Sequence, residues 1–273
     1  MITIVSGKGA PGATTTVAAL AAVWPAPVVL ADCDPAGGDL AAGWLGQWVL
    51  DGTIRTDIGV LSYATATRHA VVGDPAVLSA HVQVVPPAPH VGLLAGLSSP
   101  GQQTAVGAAG WTRLTAALAA VKTANGRPAD ALVDVGRYST VTPWPLLAAA
   151  DLVLVAVRPT QRHVLAARPI LTELAERIVP NRLGLAVCAT TPAGSRETTA
   201  ALGHQTTVQT AADARTAAVL SEGANAGTLP RRSPLLRSLR HTARRLHLTY
   251  HHYTPHELHG PHPPARTSAG GRR

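Results

Sequence analysis

The sequence predicts an α/β protein: a mainly parallel, doubly wound sheet with helices on both faces. Three observations carry that prediction. Apolar runs of strand length recur along the chain and are continuous rather than alternating, the pattern of strands covered on both sides. Ala/Leu-rich stretches of helical length separate them. The first run also leads straight into a glycine-rich loop that opens a helix, an arrangement typical of such sheets.

Taken in order, Ile2–Ser6 is a β-branched first strand, and 14–24 is a helix with no breaker until Pro25. Residues 28–31 form the second strand. In 51–100, the least regular part, Asp74-Pro75 caps a helix, and 81–85 with 91–97 form a hairpin around Pro86-Pro87-Ala88-Pro89. Helices follow near 103–122, 144–150, 163–179 and 212–222. Strands fall at 131–135, Leu152–Val157, 183–189 and, weakly, 206–210. No repeat and no boundary is visible before about residue 230, where Pro230-Arg231-Arg232 changes the composition. Three parts are therefore expected: a body over 1–230, a basic helix over 231–250 docked on it, and a His/Pro/Arg-rich disordered tail over 251–273.

The 273 residues are enough for one full core. The net charge of +8 is unevenly placed. Residues 231–273 carry nine arginines and one acid, Glu257, while the charges of 1–230 cancel. An electrostatic partner would therefore be addressed by the C-terminal end. Cys33 and Cys188 each sit in an apolar run without metal-ligand spacing and read as buried thiols in a reducing compartment. No basic-then-apolar leader precedes the first strand, and Pro25 and Pro27 break the apolar run of 17–31, so a cytoplasmic protein is expected.

Chemistry concentrates at the first loop, Ser6-Gly7-Lys8-Gly9-Ala10-Pro11-Gly12-Ala13-Thr14-Thr15. A phosphate-binding loop reads G-x-x-x-x-G-K-[ST], its backbone N–H groups wrapping phosphates and its lysine reaching the terminal oxygens. Gly7, Gly12 and Thr14 are in register, but Ala13 stands at the lysine position. Lys8, one of only two lysines in the chain, follows the first glycine instead. The strand before and the helix after supply the free N–H groups and positive dipole end that favour a phosphate. The second strand ends in Asp32-Cys33-Asp34-Pro35, and strand ends in such sheets face the ligand. A carboxylate there orders a Mg²⁺-bound water or positions an attacking one. Asp134 closes an apolar run in the manner of a Walker B strand, and Thr14 is placed to ligate the same metal.

These segments together resemble the ParA/MinD superfamily of P-loop ATPases, whose deviant Walker A motif is K-G-G-x-G-K-[ST]. Lys8-Gly9-Ala10-Pro11-Gly12-Ala13-Thr14 aligns with it without a gap. The resemblance implies ATP and Mg²⁺ as ligands and a nucleotide-sandwich homodimer. Lys8 would reach the partner's phosphates, and Asp34 would activate the hydrolytic water. Residues 152–159 are similar to the family's A-D-L-V-L-V-V-V-x-P strand, and Asp213 to Ala218 to a late segment near its base pocket. The nucleotide residues implied are Gly7, Lys8, Gly9, Ala10, Pro11, Gly12, Ala13, Thr14 and Thr15. The metal residues are Thr14, Asp32 and Asp134; Lys8 and Asp34 are the catalytic ones.

Three departures modify the expectation: Ala13 for the lysine, Ala10 for the second glycine, and Gly136-Arg137 where a Thr-Pro-Pro-like turn is usual. The TadZ/CpaE-like subgroup also has atypical Walker A loops. The expectation is thus a nucleotide-dependent positioning or partitioning protein with weak or absent hydrolysis. The alternatives are a pseudo-ATPase scaffold for a pilus, secretion or conjugation apparatus, and a DNA-partitioning ATPase. In the basic end, Ser233-Pro234 starts a helix to about Leu248, with Leu235, Leu239, Ala243 and Leu246 on one face. Its leucines would dock it on the body, while its arginines over 231–248 face DNA or an anionic membrane. A location at the inner face of the membrane or on the nucleoid would follow. Seven histidines between His241 and His262 lack the partners of a metal site.

Overall fold

The continuous apolar runs become the strands of a single eight-stranded sheet. The computed structural model describes residues 1–7, 12–123 and 125–250. The strands are β1 (Ile2–Ser6), β2 (Val28–Asp32), β3 (Gln83–Val84), β4 (Val91–Leu94), β5 (Asp130–Arg137), β6 (Leu152–Val157), β7 (Leu183–Val187) and β8 (Thr206–Gln209). They lie in the order β3-β4-β2-β5-β1-β6-β7-β8, and every pairing is parallel except the hairpin β3–β4. The expected hairpin thus pairs Gln83 with Leu93 and Val84 with Gly92 at one sheet edge.

The helices are α1 (Ala13–Ala22), α2 (Gly46–Leu50), α3 (Val60–Ala66), α4 (Pro75–Ser79) and α5 (Gln103–Ala119). They continue with α6 (Trp144–Ala149), α7 (Gln161–Ala175), α8 (Pro192–Leu202), α9 (Ala214–Glu222) and α10 (Pro234–Tyr250). Successive strand residues point to opposite faces, so each apolar run feeds two cores. On one face Ile2, Ile4, Leu30, Leu132 and Leu154 join buried residues of α1, α9 and α10. On the other Val5, Val133, Val135, Val153 and Val155 join those of α3, α5, α6 and α7. This is the doubly wound arrangement that the sequence predicts.

Helix α10 follows the amphipathic logic of its sequence. Ser233 Oγ accepts from the Leu236 N–H at 3.1 Å, and Pro234 occupies the first turn, where its missing N–H costs nothing. Leu235, Leu236, Leu239, Ala243 and Leu246 are buried, and Arg237, Arg240, Arg244 and Arg245 are exposed. Near its end the half-buried His247 puts Nδ1 2.6 Å from Asp130 Oδ2, which also accepts from Trp24 Nε1 at 2.8 Å. The Trp24 and His247 rings meet edge to face at 6.2 Å. Of the seven clustered histidines, this one belongs to the packing. The tail 251–273 lies outside the described residues, and no helix among those described is long and apolar enough to cross a membrane.

Candidate functional site

Strand order brings the chemistry together. Strand β5 lies between β2 and β1 and runs parallel to both, so the carboxyl ends of β2, β5 and β1 lie side by side at one end of the sheet. In register, Asp32 stands directly beside Asp134. Both carboxylates are 1 % exposed. Asp32 Oδ2 accepts from the Leu40 N–H at 3.0 Å. Asp134 Oδ1 accepts from the Gly136 N–H at 2.9 Å, and the Thr14 hydroxyl donates to the Asp134 carboxylate as well.

Burial first, and then the negative neighbour Asp134, push the Asp32 carboxyl far above the usual carboxylate range. Burial likewise raises Asp134, with hydrogen bonds from Thr14 and Gly136 opposing it and the charges of Asp34 and Asp39 adding to it. Asp34 is half-buried and is raised by burial and by Asp39. No cation pairs with Asp32 or Asp134 among the described residues. Two dry carboxylates side by side, with a threonine hydroxyl on one of them, form the donor set that a hard divalent cation takes. No group of three His, Cys, Asp or Glu could hold a metal alone among the described residues. A Mg²⁺ here would complete its shell with phosphate oxygens and water, as Mg²⁺ commonly does.

Glycines make the close approach possible. Between Ile4 and Ser6 of β1, β5 fits in one extra residue, a bulge at which Gly136 takes φ +68°. A Cβ on Gly136 would fall on the Asp34 carboxyl, and one on Gly38 would fall on that of Asp32. Glycine at 136 therefore has a packing cause. Arg137 itself is exposed, at the end of β5.

A cavity of about 220 Å³ lies between Gly12, Thr15 and Thr16 on one side and Ala212, Asp213 and Ala217 on the other. Gly12, at φ 102°, caps α1, and buried Ala13 is the first residue of that helix. Cys188 and Arg158 also line the cavity. Cys188 Sγ lies 3.3 Å from Thr16 Oγ1, and burial raises its thiol to about 11. The apolar run around Cys188 reads as core, but its place just past the carboxyl end of parallel strand β7 sets it against this cavity. Asp213 caps two helices. Its carboxylate accepts from Thr216 N and Oγ1 at the start of α9 and from Ser233 Oγ at the start of α10.

Of the residues singled out in the sequence, Gly12, Ala13, Thr14 and Thr15 open α1, beside Asp32, Asp34 and Asp134. Gly7 ends the β1 segment against Ala166 and Ile170 of α7. Lys8, Gly9, Ala10 and Pro11 lie outside the described residues.

No protein-family model matches the sequence. No curated protein matches it either. Solved structures do. A ParA-family ATPase from Chlorobium tepidum superposes with a TM-score of 0.67 at 17% identity, over 90% of this chain and 98% of its own. The fold is that of the ParA/MinD ATPases. MinD from Pyrococcus horikoshii, complexed with Mg-ADP, gives 0.63 at 15% identity over 90% of this chain and 94% of its own. A Cyanothece McdA variant in complex with ATP gives 0.59 at 15% identity, covering 90% and 94%.

Proposed function

We propose that this protein is a nucleotide-dependent positioning or partitioning factor that binds ATP and Mg²⁺ at the loop after β1, with weak or absent hydrolysis. The convergence of Thr14, Asp134 and Asp32 at the carboxyl end of the central strands, beside the cavity at Gly12, carries this reading. The similar structures support it: MinD with Mg-ADP and McdA with ATP. Bound Mg²⁺ would neutralise charge on the phosphates. Thr14, Asp32 and Asp134 would hold it, with the α1 N-terminus facing the phosphates and the cavity taking the nucleoside. Asp34, half-buried at the cleft, would orient the attacking water.

Ala13 sets the limit on turnover. Its methyl group belongs to the apolar core, so nothing at that position supplies the missing ammonium. Such contacts are worth several kcal/mol in phosphoryl transfer. That favours a binder over an efficient enzyme, and it equally supports a scaffold role in a pilus, secretion or conjugation apparatus. Lys8 would act across a nucleotide-dependent homodimer. The exposed arginines of α10 support a polyanionic partner at the basic end. The burial of its leucines counts against insertion into a bilayer.

Calorimetric ATP titration with Mg²⁺, paired with a phosphate-release assay, tests this on wild type, Ala13→Lys, Lys8→Ala and Asp134→Ala. Wild type is expected to bind, Asp134→Ala to lose the Mg²⁺ dependence, and Ala13→Lys to raise turnover by about tenfold or more. Lys8→Ala is expected to bind as a monomer. Absence of nucleotide affinity in wild type with Mg²⁺ present sinks the proposal.

A further inference from the structure

On the side of the molecule where α1 ends, a groove of about 700 Å³ runs between that helix end, segment 229–231 and α10. Val23, Pro25, Leu229 and Leu236 give it an apolar lining; Leu236 is buried, and Val23 and Leu229 half-buried. Arg231, Arg240, His241 and Arg244 give it a cationic one, and all four are exposed. No acid lines it, and none of the ion pairs among the described residues takes one of these arginines. The nucleotide cleft shares none of these residues.

The geometry points to a docking groove for an acidic amphipathic helix of a partner protein. Charge complementarity selects the occupant. A second copy would set arginines against arginines, and residues 251–273 carry three arginines and one glutamate, so the chain's own end is the wrong sign. A bilayer needs an exposed apolar face, and the leucines of α10 that could form one are buried, leaving only Leu248 strongly exposed. A DNA duplex would lay phosphates along the arginines and leave the apolar lining unfilled. A helix with an apolar ridge flanked by Asp or Glu satisfies both linings at once, in the manner of helix-in-groove recognition. The arginines then speed encounter and set register, while the apolar lining holds the ridge.

The test uses the full-length chain, panned against a displayed library of random peptides about 16 residues long, roughly four helical turns. Enriched peptides are then titrated by fluorescence anisotropy. The expected winners carry acidic residues beside apolar ones spaced three and four apart. Their affinity should fall about tenfold or more for Arg240→Glu/Arg244→Glu, and equally for Ala22→Phe, since Ala22 also lines the groove and a phenylalanine there fills it without changing charge. Arg232→Glu/Arg237→Glu, the same charge change outside the groove, should leave it within about twofold and shows that reversed charge alone is tolerated. Winners without acidic bias, or losses equal in the two double variants, overturn the proposal. So does binding of a duplex DNA of about 24 base pairs, or of phosphatidylglycerol vesicles, that exceeds every peptide and ignores Ala22→Phe.

Discussion

At the scale of single residues, the cleft depends on side chains that are absent as much as on those present. Gly136 has a left-handed backbone, and its missing Cβ is the space the Asp34 carboxyl occupies. Gly136→Ala should therefore destabilise the protein by about 1–3 kcal/mol, combining backbone strain with a displaced carboxylate. Two measurements separate those parts. Urea unfolding of Gly136→Ala in an Asp34→Ala background should recover the crowding share and leave the strain, since the two sites touch and their effects do not add. Calorimetry should show Mg²⁺-dependent nucleotide binding about tenfold weaker in the single variant. A Gly136→Ala protein with wild-type stability would remove the bulge from the account of the site.

At the scale of elements, α10 is where sequence and structure can be compared most directly. Leu239 is fully buried and Leu248 is 63% exposed, though both are leucines on the same helix. Leu239→Ala should cost about 2–5 kcal/mol in denaturant unfolding, and Leu248→Ala under about 0.5. Equal, small effects would mean that the helix is not held by its leucines. The docking stripe was legible because a 3.6-residue period survives in the sequence. Helix α8 was not, although Thr191, Pro192 and Gly203 mark its ends, because its buried residues are Ser195 and Thr198 and no apolar period exists to read. Helices α2 and α3 were hidden similarly: they are short, and α2 buries none of its own residues. The parallel strands were legible because both faces are covered and the runs stay apolar. In the cleft, Asp32, Asp134 and Thr14 could be placed because strand ends and a glycine loop announce them. Of the cavity wall, the Asp213–Ala218 segment was legible through its resemblance, whereas Cys188, inside an apolar run, reads as core until the strand order sets it opposite Thr16.

At the scale of the whole molecule, the buried carboxylates tie stability to pH and to ligand with opposite signs. Burial, and Asp134 beside it, raise Asp32 to about 8, and burial raises Asp134 to about 6. Between the ordinary carboxylate range and those values the native state keeps protons that the unfolded chain has released. The native state then binds more protons, so the carboxyls' contribution to stability is full at low pH and is lost as pH rises through the native values. Without ligand, the melting temperature should fall from about pH 5 to about pH 8. A bound Mg²⁺ demands the ionised carboxylates instead, so stabilisation by Mg-ATP should grow over the same window. At a hundredfold excess over the dissociation constant it approaches about 2.7 kcal/mol, or roughly 5–10 °C for a chain of this size. Asp32→Asn cannot titrate, so it should flatten the ligand-free slope and blunt the gain from Mg-ATP together. Scanning fluorimetry of both proteins across that range, with and without Mg-ATP, measures all four curves. A wild-type melting temperature independent of pH, or a Mg-ATP shift that shrinks as pH rises, would separate the carboxylate pair from the ligand and undo the link between them.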